Sequence, residues 1–515
     1  MGTIADHSHS DEKPAGLGLL IVVLLLGFGL RLEFVSHVDL FVDEYTSMLA
    51  MEGVADHCLP VLPSGLIYGP KGVLHSYLGG AVIWAFGLSD FLISFISVLV
   101  SVMAICFVYR IGRDWFSPLV GLAAAAALAS LPSCIEWGSR IRPYALLQTS
   151  SLIGAYLFVN AYVRNQNHRC GAMALLALSA SVFAHPLGLI TVGGLLIGMI
   201  VTRLTSPSHE LWPPTLTAWH AAAGGLVIAA GILLNVAGSA WGVRDTLQET
   251  GQELLSFSSL LDVAIYALMF TRQFLAWPLW PFTVVYVLGL ATLLFRTARG
   301  DTAPDDAIVL SLYLLTIDVW LLTSALSSGL YHHRYLFQIL PFYFLLVARE
   351  WQRLLNRVLG TLDLRERWAG KLLPRVATVA LVTALCLPSA LESMSKTDNG
   401  WEPALGYVRD HWQEGDALAT CSPTPSQFIL GRADYYLTQK GETFNNADIW
   451  IGAPLVDTAE DFAAMLADHE RVWFVVKREW CWEQNLSPRF QETIQNAMHL
   501  AHEHRGTLVF VSDPE

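Results

Sequence analysis

The chain has few charged residues and no cysteine or histidine pattern typical of a metal site. Only 15% of the 515 residues are charged, whereas 54% are hydrophobic and the mean hydropathy is +0.46. The 7 cysteines include no Cys-x-x-Cys pair, and the 16 histidines form no His-x-x-x-His or His-Glu-x-x-His motif. This composition excludes a soluble protein with one core and predicts a polytopic α-helical membrane protein. Structural zinc is not expected, and no motif supports a divalent metal or another cofactor.

Apolar runs of about 20 residues predict eleven membrane spans, which place the two chain ends on opposite sides. A polar tail at 1–15 precedes the first run, and no small-residue cleavage site follows it, so this run is expected to remain an uncleaved span. Arginine collects in alternate loops, which places the N-terminus in the cytoplasm and the C-terminal end outside the inner membrane. The spans are expected near 16–32, 91–109, 117–135, 144–163, 170–184, 187–203, 219–237, 278–296, 306–326, 337–350 and 375–393.

One further apolar stretch, 72–88, is not counted as a span. If it crossed the membrane, every later basic loop would face outward. Its Gly79-Gly80 pair, its His75 and its short length favour a helix that lies at the outer interface or re-enters it. The transmembrane domain is then 16–395, and 33–90 form a long first outer loop.

Residues 396–515 have a different character and are strongly acidic. They contain 19 Asp and Glu against 9 Lys and Arg, within a net charge of −13 for the chain, so nucleic acid is not an expected partner. Alternating strand and helix patterns predict an extracytoplasmic α/β domain with a partly parallel sheet. The expected strands are 417–420, 471–476 and 507–511, and the expected helices are 402–411, 459–469 and 488–504.

The last two cysteines each follow a predicted strand of this domain. If those strands are neighbours, the Cα atoms of Cys421 and Cys481 could lie within the ~4.4–6.8 Å that a disulfide requires. An oxidising outer compartment would favour the bond. Two unpaired thiols are the alternative.

The carboxylate pair Asp43 and Glu44 lies in the first outer loop, just after the first span. Ionisable residues near hydrocarbon are costly, so the pair is a functional-site hypothesis by default. Val42, Tyr45 and Met48 embed it in an amphipathic helix, which favours a catalytic role over a solvated helix end. A carboxylate partly shielded from water can have its pKa raised, and can act as general base toward an acceptor hydroxyl or amine.

Three arginines break the positive-inside pattern. Arg140 and Arg142 lie between the third and fourth spans, and Arg334 lies before the tenth; Tyr144 and Tyr335 follow closely. A single arginine at a membrane rim often reaches lipid phosphates. Two such clusters, on the same side as a carboxylate pair, favour a site for an anion.

Three histidines on the outer side are further candidates. His185 lies in Ala184-His185-Pro186, where the fifth and sixth spans turn, and capping of a broken helix is favoured there over a ligand role. His75 lies in the first outer loop, and His333 precedes Arg334.

Several of these segments together resemble the GT-C glycosyltransferases, in the branch of the lipid A aminoarabinose transferases and protein O-mannosyltransferases. The likeness extends over most of residues 16–350, and the tail beyond 401 resembles the soluble domain of many bacterial members. It is carried by Val42-Asp43-Glu44-Tyr45, Tyr68-Gly69-Pro70-Lys71, Arg142-Pro143-Tyr144-Ala145-Leu146, Ala184-His185-Pro186-Leu187-Gly188 and Arg334-Tyr335.

The resemblance implies a donor in which a sugar is linked to a polyprenyl phosphate. Asp43 would take the proton from an acceptor lipid, glycan or protein in an inverting single displacement. Arg142, Arg334 and Lys71 would neutralise the departing phosphate. Lys71 follows Gly69-Pro70, where aminoarabinose transferases have Glu before the lysine. Arginines also stand where oligosaccharyltransferases have a second acidic, metal-binding motif.

A membrane transporter or lipid flippase with an outward-facing polar site is the alternative class. Transporters commonly place ionisable residues near the bilayer midplane, on broken helices in paired halves. This chain has no visible half-to-half symmetry, and its ionisable residues collect at one rim.

Overall fold

The computed structural model describes residues 13–68, 72–164, 168–205, 224–226, 229–230, 260–299, 306–326, 333–361, 372–395 and 399–512. Helices dominate up to residue 395. They are α1 (Lys13–His37), α2 (Val42–His57), α3 (Val73–Phe86), α4 (Asp90–Trp115), α5 (Pro118–Ser130), α6 (Pro132–Ser139), α7 (Tyr144–Val159), α8 (His168–Ala184), α9 (Gly188–Thr205), α10 (Leu260–Leu275), α11 (Trp280–Ala298), α12 (Asp306–Leu326), α13 (Leu340–Thr361) and α14 (Leu372–Met394).

Four of the described helices are long and apolar enough to cross a membrane alone, namely α4, α11, α14 and the Gly16–His37 part of α1. Shorter apolar helices include α3 and parts of α8, α9 and α12. Helices cover the other predicted runs except 219–237, which falls mainly outside the described residues, and α10 was not expected. The mostly helical membrane architecture is as predicted, whereas the count of eleven spans stays a prediction.

The predicted continuous span at 117–135 is wrong in one respect. It is a bent pair, α5 and α6, whose axes differ by 66°. Pro132 begins α6, and proline at that point removes a backbone N–H that a continuous helix would need. The bend redirects the chain toward Arg140 and Arg142.

Helix α3 covers the stretch that was left out of the span count. Its 14 residues extend about 21 Å at 1.5 Å per residue, which is less than the ~30 Å of a hydrocarbon core. The placement of α3 outside the membrane-spanning set stays a prediction.

Arg31 lies inside α1 with only 1% of its surface exposed, and no carboxylate pairs with it among the described ion pairs. Its Nε donates to Ser101 Oγ at 2.8 Å. Its other donors satisfy carbonyls at the α5–α6 bend and in α1, at 2.9–3.3 Å: Gly27, Leu128, Ala129 and Cys134. Arg31 therefore stabilises the bend that leads to the arginine cluster.

Residues 399–512, here called the C-terminal region, contain a six-stranded sheet in the order β5-β2-β1-β6-β8-β7. Strand β1 is parallel to β2 and β6, whereas β8 is antiparallel to β6 and β7. The elements are α15 (Trp401–His411), β1 (Asp416–Thr420), α16 (Pro423–Leu430), β2 (Tyr435–Leu437), β3 (Thr443–Phe444), β4 (Ala447–Asp448), β5 (Leu455–Val456), α17 (Ala459–Ala467), β6 (Arg471–Lys477), α18 (Pro488–Ala497), β7 (His499–His504) and β8 (Thr507–Val511).

The three predicted strands are confirmed as β1, β6 and β8, and the partly parallel sheet is confirmed with them. The predicted helix at 488–504 is wrong in its second half, because α18 ends at Ala497 and 499–504 form β7. Pairing with the free edge of β8 prevails there over local helical preference.

The central strands β1 and β6 are adjacent, and each is followed by a cysteine. The sulfurs of Cys421 and Cys481 are joined as a disulfide, with Cα atoms 6.5 Å apart and 60 residues between them in sequence. A loop of that length adds about 4 kcal/mol of stability in the chain-entropy account of disulfides. The bond also fixes the start of α16 to the sheet.

We expect mass spectrometry of non-reduced peptides to recover Cys421 and Cys481 as one linked pair. Cys58, which is exposed, serves as the control and should be alkylated without reduction. Recovery of Cys421 and Cys481 as alkylated thiols in the same digest would show that the bond does not form in the cell.

Candidate active site

Glu44 holds the N-terminus of α2 in place. Its side chain is 2% exposed, and Oε2 accepts hydrogen bonds from the Phe41 N–H at 2.7 Å and from Arg140 Nη1 at 2.8 Å. Oε1 accepts from the Ile141 N–H at 2.7 Å. Both oxygens are therefore used by protein donors, and they tie α2 to the segment after α6.

Asp43, the neighbouring residue, receives two arginines on one oxygen. Arg334 Nη1 lies 2.9 Å from Asp43 Oδ2, and Arg142 Nη2 lies 3.4 Å from the same atom. The Asp43 side chain is 34% exposed, whereas those of Arg142 and Arg334 are only 6% and 9% exposed. The sequence predicted that the helix would partly shield the Asp43 carboxylate from water. In the structure, this carboxylate is partly exposed and is paired with two arginines.

Three aromatic rings surround the guanidinium of Arg334. Its Cζ lies 5.6 Å from the ring centroid of Trp137, 5.9 Å from that of Tyr144 and 5.7 Å from that of Tyr335. Rings at this distance stabilise a buried cation through their negative faces. Tyr144 and Tyr335, which the sequence predicted as site residues, thus lie beside Arg334. Trp137 of α6 also lies there and was not predicted.

The buried arginines Arg140, Arg142 and Arg334 differ in how their donors are satisfied. Arg140 uses Nε and both terminal nitrogens on Glu44 and Glu136. In contrast, Nε of Arg142 and Nε of Arg334 are buried and have no hydrogen-bond partner among the residues that the structure describes. Buried guanidinium N–H groups are strong donors, and an anion is the acceptor that suits them best. Two cations and one carboxylate also give the Asp43 cluster an excess of positive charge.

Two residues that the sequence did not single out as site residues fix Arg142. Its Nη1 donates to the Asp43 carbonyl at 2.9 Å, to Ser47 Oγ at 3.1 Å and lies 3.4 Å from the hydroxyl of Tyr68. Ser47 lies one helical turn after Asp43, a spacing visible in the sequence. Tyr68 could be found from its place beside Gly69-Pro70-Lys71, although nothing local shows which arginine it contacts.

The three histidine candidates have different surroundings. His185 Nδ1 accepts from the Leu187 N–H at 3.1 Å, so it caps the break between α8 and α9, and its ring lies 5.5 Å from that of Tyr144. His75 is buried on α3 and interacts electrostatically with Arg142. His333 begins a 3₁₀ turn, and its side chain is outside the described part. Lys71 is outside it altogether.

Within the described ranges, no group of three or more His, Cys, Asp or Glu side chains has the geometry of a metal site. Two cavities of about 590 and 450 Å³ lie on the C-terminal region. Neither of these two cavities is lined by Asp43, Arg142 or Arg334.

The fold is that of the GT-C glycosyltransferases, as the resemblance implied. Crystal structures of ArnT from Cupriavidus metallidurans, bound to undecaprenyl phosphate and in the apo state, superpose with TM-scores of 0.65 and 0.66 at 14% identity. They cover 97% of this chain and 99% and 100% of theirs. No family model and no curated protein sequence matches the chain.

A second similar structure is the oligosaccharyltransferase AglB from Archaeoglobus fulgidus, in complex with an inhibitory peptide and a dolichol-phosphate. It superposes with a TM-score of 0.56 at 14% identity, over 90% of this chain and 69% of that chain. Similarity at this identity concerns the fold, so the activity has to be argued from the residues of the site.

Proposed function

We propose that this protein is a membrane glycosyltransferase that moves a sugar from a polyprenyl-phosphate donor to an extracytoplasmic acceptor. The observation that carries the proposal is the cluster in which Arg142 and Arg334 meet Asp43 on one oxygen. It combines a partly exposed carboxylate, an excess of positive charge and two buried guanidinium N–H groups that have no acceptor among the described residues. A phosphate beside a proton-accepting carboxylate is the chemistry that such a cluster fits.

Asp43 is assigned the role of general base. The acceptor hydroxyl or amine gives its proton to the Asp43 carboxylate as its oxygen or nitrogen attacks the anomeric carbon of the sugar. The bond between that carbon and the phosphate oxygen breaks, and the polyprenyl phosphate leaves with the electron pair. Attack opposite to the leaving group inverts the anomeric centre. The sequence predicted a carboxylate shielded from water, but in the structure two arginines pair with it. Ion pairing acts in the opposite direction to shielding, since it favours the charged form, which is the form that accepts a proton.

Arg142 and Arg334 are assigned to the phosphate of the donor. Negative charge grows on the leaving phosphate as the glycosidic bond breaks, so preorganised cations stabilise the transition state more than the ground state. Both arginines are held in place before a donor arrives, Arg142 by hydrogen bonds and Arg334 by aromatic rings. Lys71 is kept as a third candidate cation, and Tyr144 and Tyr335 as wall residues.

Glu44 is assigned a positioning role rather than a step in the chemistry. Its oxygens are occupied by three donors from Phe41, Arg140 and Ile141. These contacts set the direction of the first turn of α2, and therefore of Asp43.

Two similar structures support a lipid-linked donor. The ArnT structure contains undecaprenyl phosphate and the AglB structure contains a dolichol-phosphate, and both ligands are phosphates of long polyprenyl chains. Membrane lipids and a lipid, glycan or protein acceptor are the proposed partners, and no metal is assigned. The identity of the sugar follows from no residue described above.

The direct test is to supply purified protein with a panel of polyprenyl-phosphate sugars and a membrane extract. Transfer of the sugar, with release of polyprenyl phosphate and an inverted anomeric centre, is expected for at least one donor. Retention of configuration would contradict the single displacement. Movement of intact donor across a vesicle membrane without release of phosphate would favour the transporter or flippase instead.

The proposed site requires a particular topology, in which the first loop faces outward. Reporter fusions at Gly300 and Glu515 are expected to place Gly300 in the cytoplasm and Glu515 outside the inner membrane. A cytoplasmic Glu515 together with an outer Gly300 would put Asp43 on the cytoplasmic side and would contradict the extracytoplasmic acceptor.

A further inference from the structure

The 448–453 loop of the C-terminal region makes one of its close contacts with the first outer loop. Asp448 is 2% exposed and organises this loop by accepting backbone N–H groups. Its Oδ1 accepts from Trp450 at 2.8 Å and from Ile451 at 2.9 Å, and its Oδ2 accepts from Ala453 at 2.6 Å. Bonds from one carboxylate to three backbone donors within four residues fix the loop in one shape.

The fixed loop packs against residues 60–68 by polar and apolar contacts. Ser64 Oγ donates to the Ile449 carbonyl at 2.7 Å, and the Ser64 N–H donates to the Trp450 carbonyl at 3.3 Å. Gly452 lies against the Ser64 backbone at φ +80°, a conformation that favours glycine. The Trp450 ring is 6.3 Å from that of Tyr68.

Tyr68 connects this contact to the arginine cluster. Its side chain is buried, and its hydroxyl lies 3.4 Å from Arg142 Nη1. Arg142 in turn reaches Asp43 through Nη2. Residues Leu49, Ala50 and Leu62 pack around Tyr68 with Trp450, so the same apolar cluster also touches α2.

We propose that Trp450 is a positioning residue, through which the C-terminal region holds Tyr68 and so directs Arg142 toward the donor phosphate. The inference rests on the proposed glycosyltransferase function. It assigns the C-terminal region a part in donor binding, since the region completes the packing behind a phosphate-binding arginine. Other contacts between the region and the first outer loop hold it in the same place: Asn399 with Asp39, Thr424 with Thr46, and Phe428 with Tyr45.

Trp450→Ala removes the ring against Tyr68, and the KM for the polyprenyl-phosphate donor is expected to rise about tenfold. The KM for the acceptor should change less than twofold. Trp450→Phe keeps an aromatic face and should restore most of the donor affinity. Trp480→Ala is the matched control, since Trp480 is 36% exposed on another turn of the C-terminal region and should retain wild-type values.

A donor KM of Trp450→Ala equal to that of Trp480→Ala would overturn the proposal. So would an equal loss with both substrates, because a positioning role at Arg142 concerns the donor alone. If Trp450→Phe had a donor KM as high as that of Trp450→Ala, the aromatic face of Trp450 would not be what positions Tyr68. That result would contradict the proposal.

Hydrogen exchange provides a readout that does not depend on activity. In Trp450→Ala and in Asp448→Ala, the amides of Leu62 and Tyr68 should exchange faster, while those of β1 and β6 remain protected. Wild-type protein that transfers no sugar from any donor would refute the proposed function. Unchanged exchange at 62–68 in both variants would refute the role of Trp450 separately.

Discussion

Asp43→Asn is expected to reduce the rate of sugar transfer by about 10²–10⁴-fold while the protein still folds. Asparagine has nearly the same size, and its amide oxygen can still accept from Arg334, which lies 2.9 Å from Asp43 Oδ2. It cannot take a proton from the acceptor at working pH. The loss should therefore appear in kcat, with donor binding largely kept.

The measurement is steady-state transfer by purified variants with one polyprenyl-phosphate sugar. Asp56→Asn is the matched control, because it is the same change on the same helix at an exposed position, and it should behave as wild type. Near-normal turnover by Asp43→Asn would remove Asp43 from the role of general base. Glu44→Gln is expected to differ from both, since it weakens a buried ion pair with Arg140 and should lower the folded yield instead.

Arg334→Ala is expected to weaken donor binding by about 10- to 150-fold. The range corresponds to a charge-assisted contact worth roughly 1.5–3 kcal/mol. Arg334 is the cleaner of the two arginines to test, because its described polar contact is with Asp43, whereas Arg142 also binds Ser47 and the Asp43 carbonyl. Arg142→Ala should thus lose donor affinity to a similar degree and some stability as well.

Binding of undecaprenyl phosphate to purified protein measures this effect without turnover. Arg334→Lys should fall between alanine and wild type, since lysine keeps the charge but lacks the planar fork of arginine. Arg113→Ala, at a half-exposed position on α4, is the control and should bind as wild type does. Unchanged affinity in both Arg334→Ala and Arg142→Ala would show that these side chains serve lipid headgroups or packing.

The sequence contained enough information to predict the membrane helices, the three central strands and the residues of the candidate cluster. The length of an apolar run is enough to predict a membrane helix. An arginine that departs from the positive-inside pattern can likewise be recognised without knowledge of its contacts. The separate environments of Asp43 and Glu44 were not predictable, because adjacent carboxylates look alike until donors from 140 and 141 are brought to one of them.

Other features were missed because they depend on long-range contacts. Tyr68 and Arg142 are 74 residues apart, and Ser64 and Ile449 are 385 residues apart. No local pattern encodes such pairs. Strand β7 was predicted as helix because its partner β8 lies beyond it in sequence.

The buried Arg31 also bears on the order in which the membrane region is assembled. An arginine costs up to about 2.5–3.5 kcal/mol within a span on insertion scales, the full cost applying at the centre, and α1 leaves the ribosome before α4, α5 and α6. Apart from the Gly27 carbonyl in its own helix, the acceptors of Arg31 lie 70 to 103 residues later. At ribosomal rates, that delay is about 5–20 s. We therefore expect α1 to reach its stable place only after α4, α5 and α6 have arrived around Arg31.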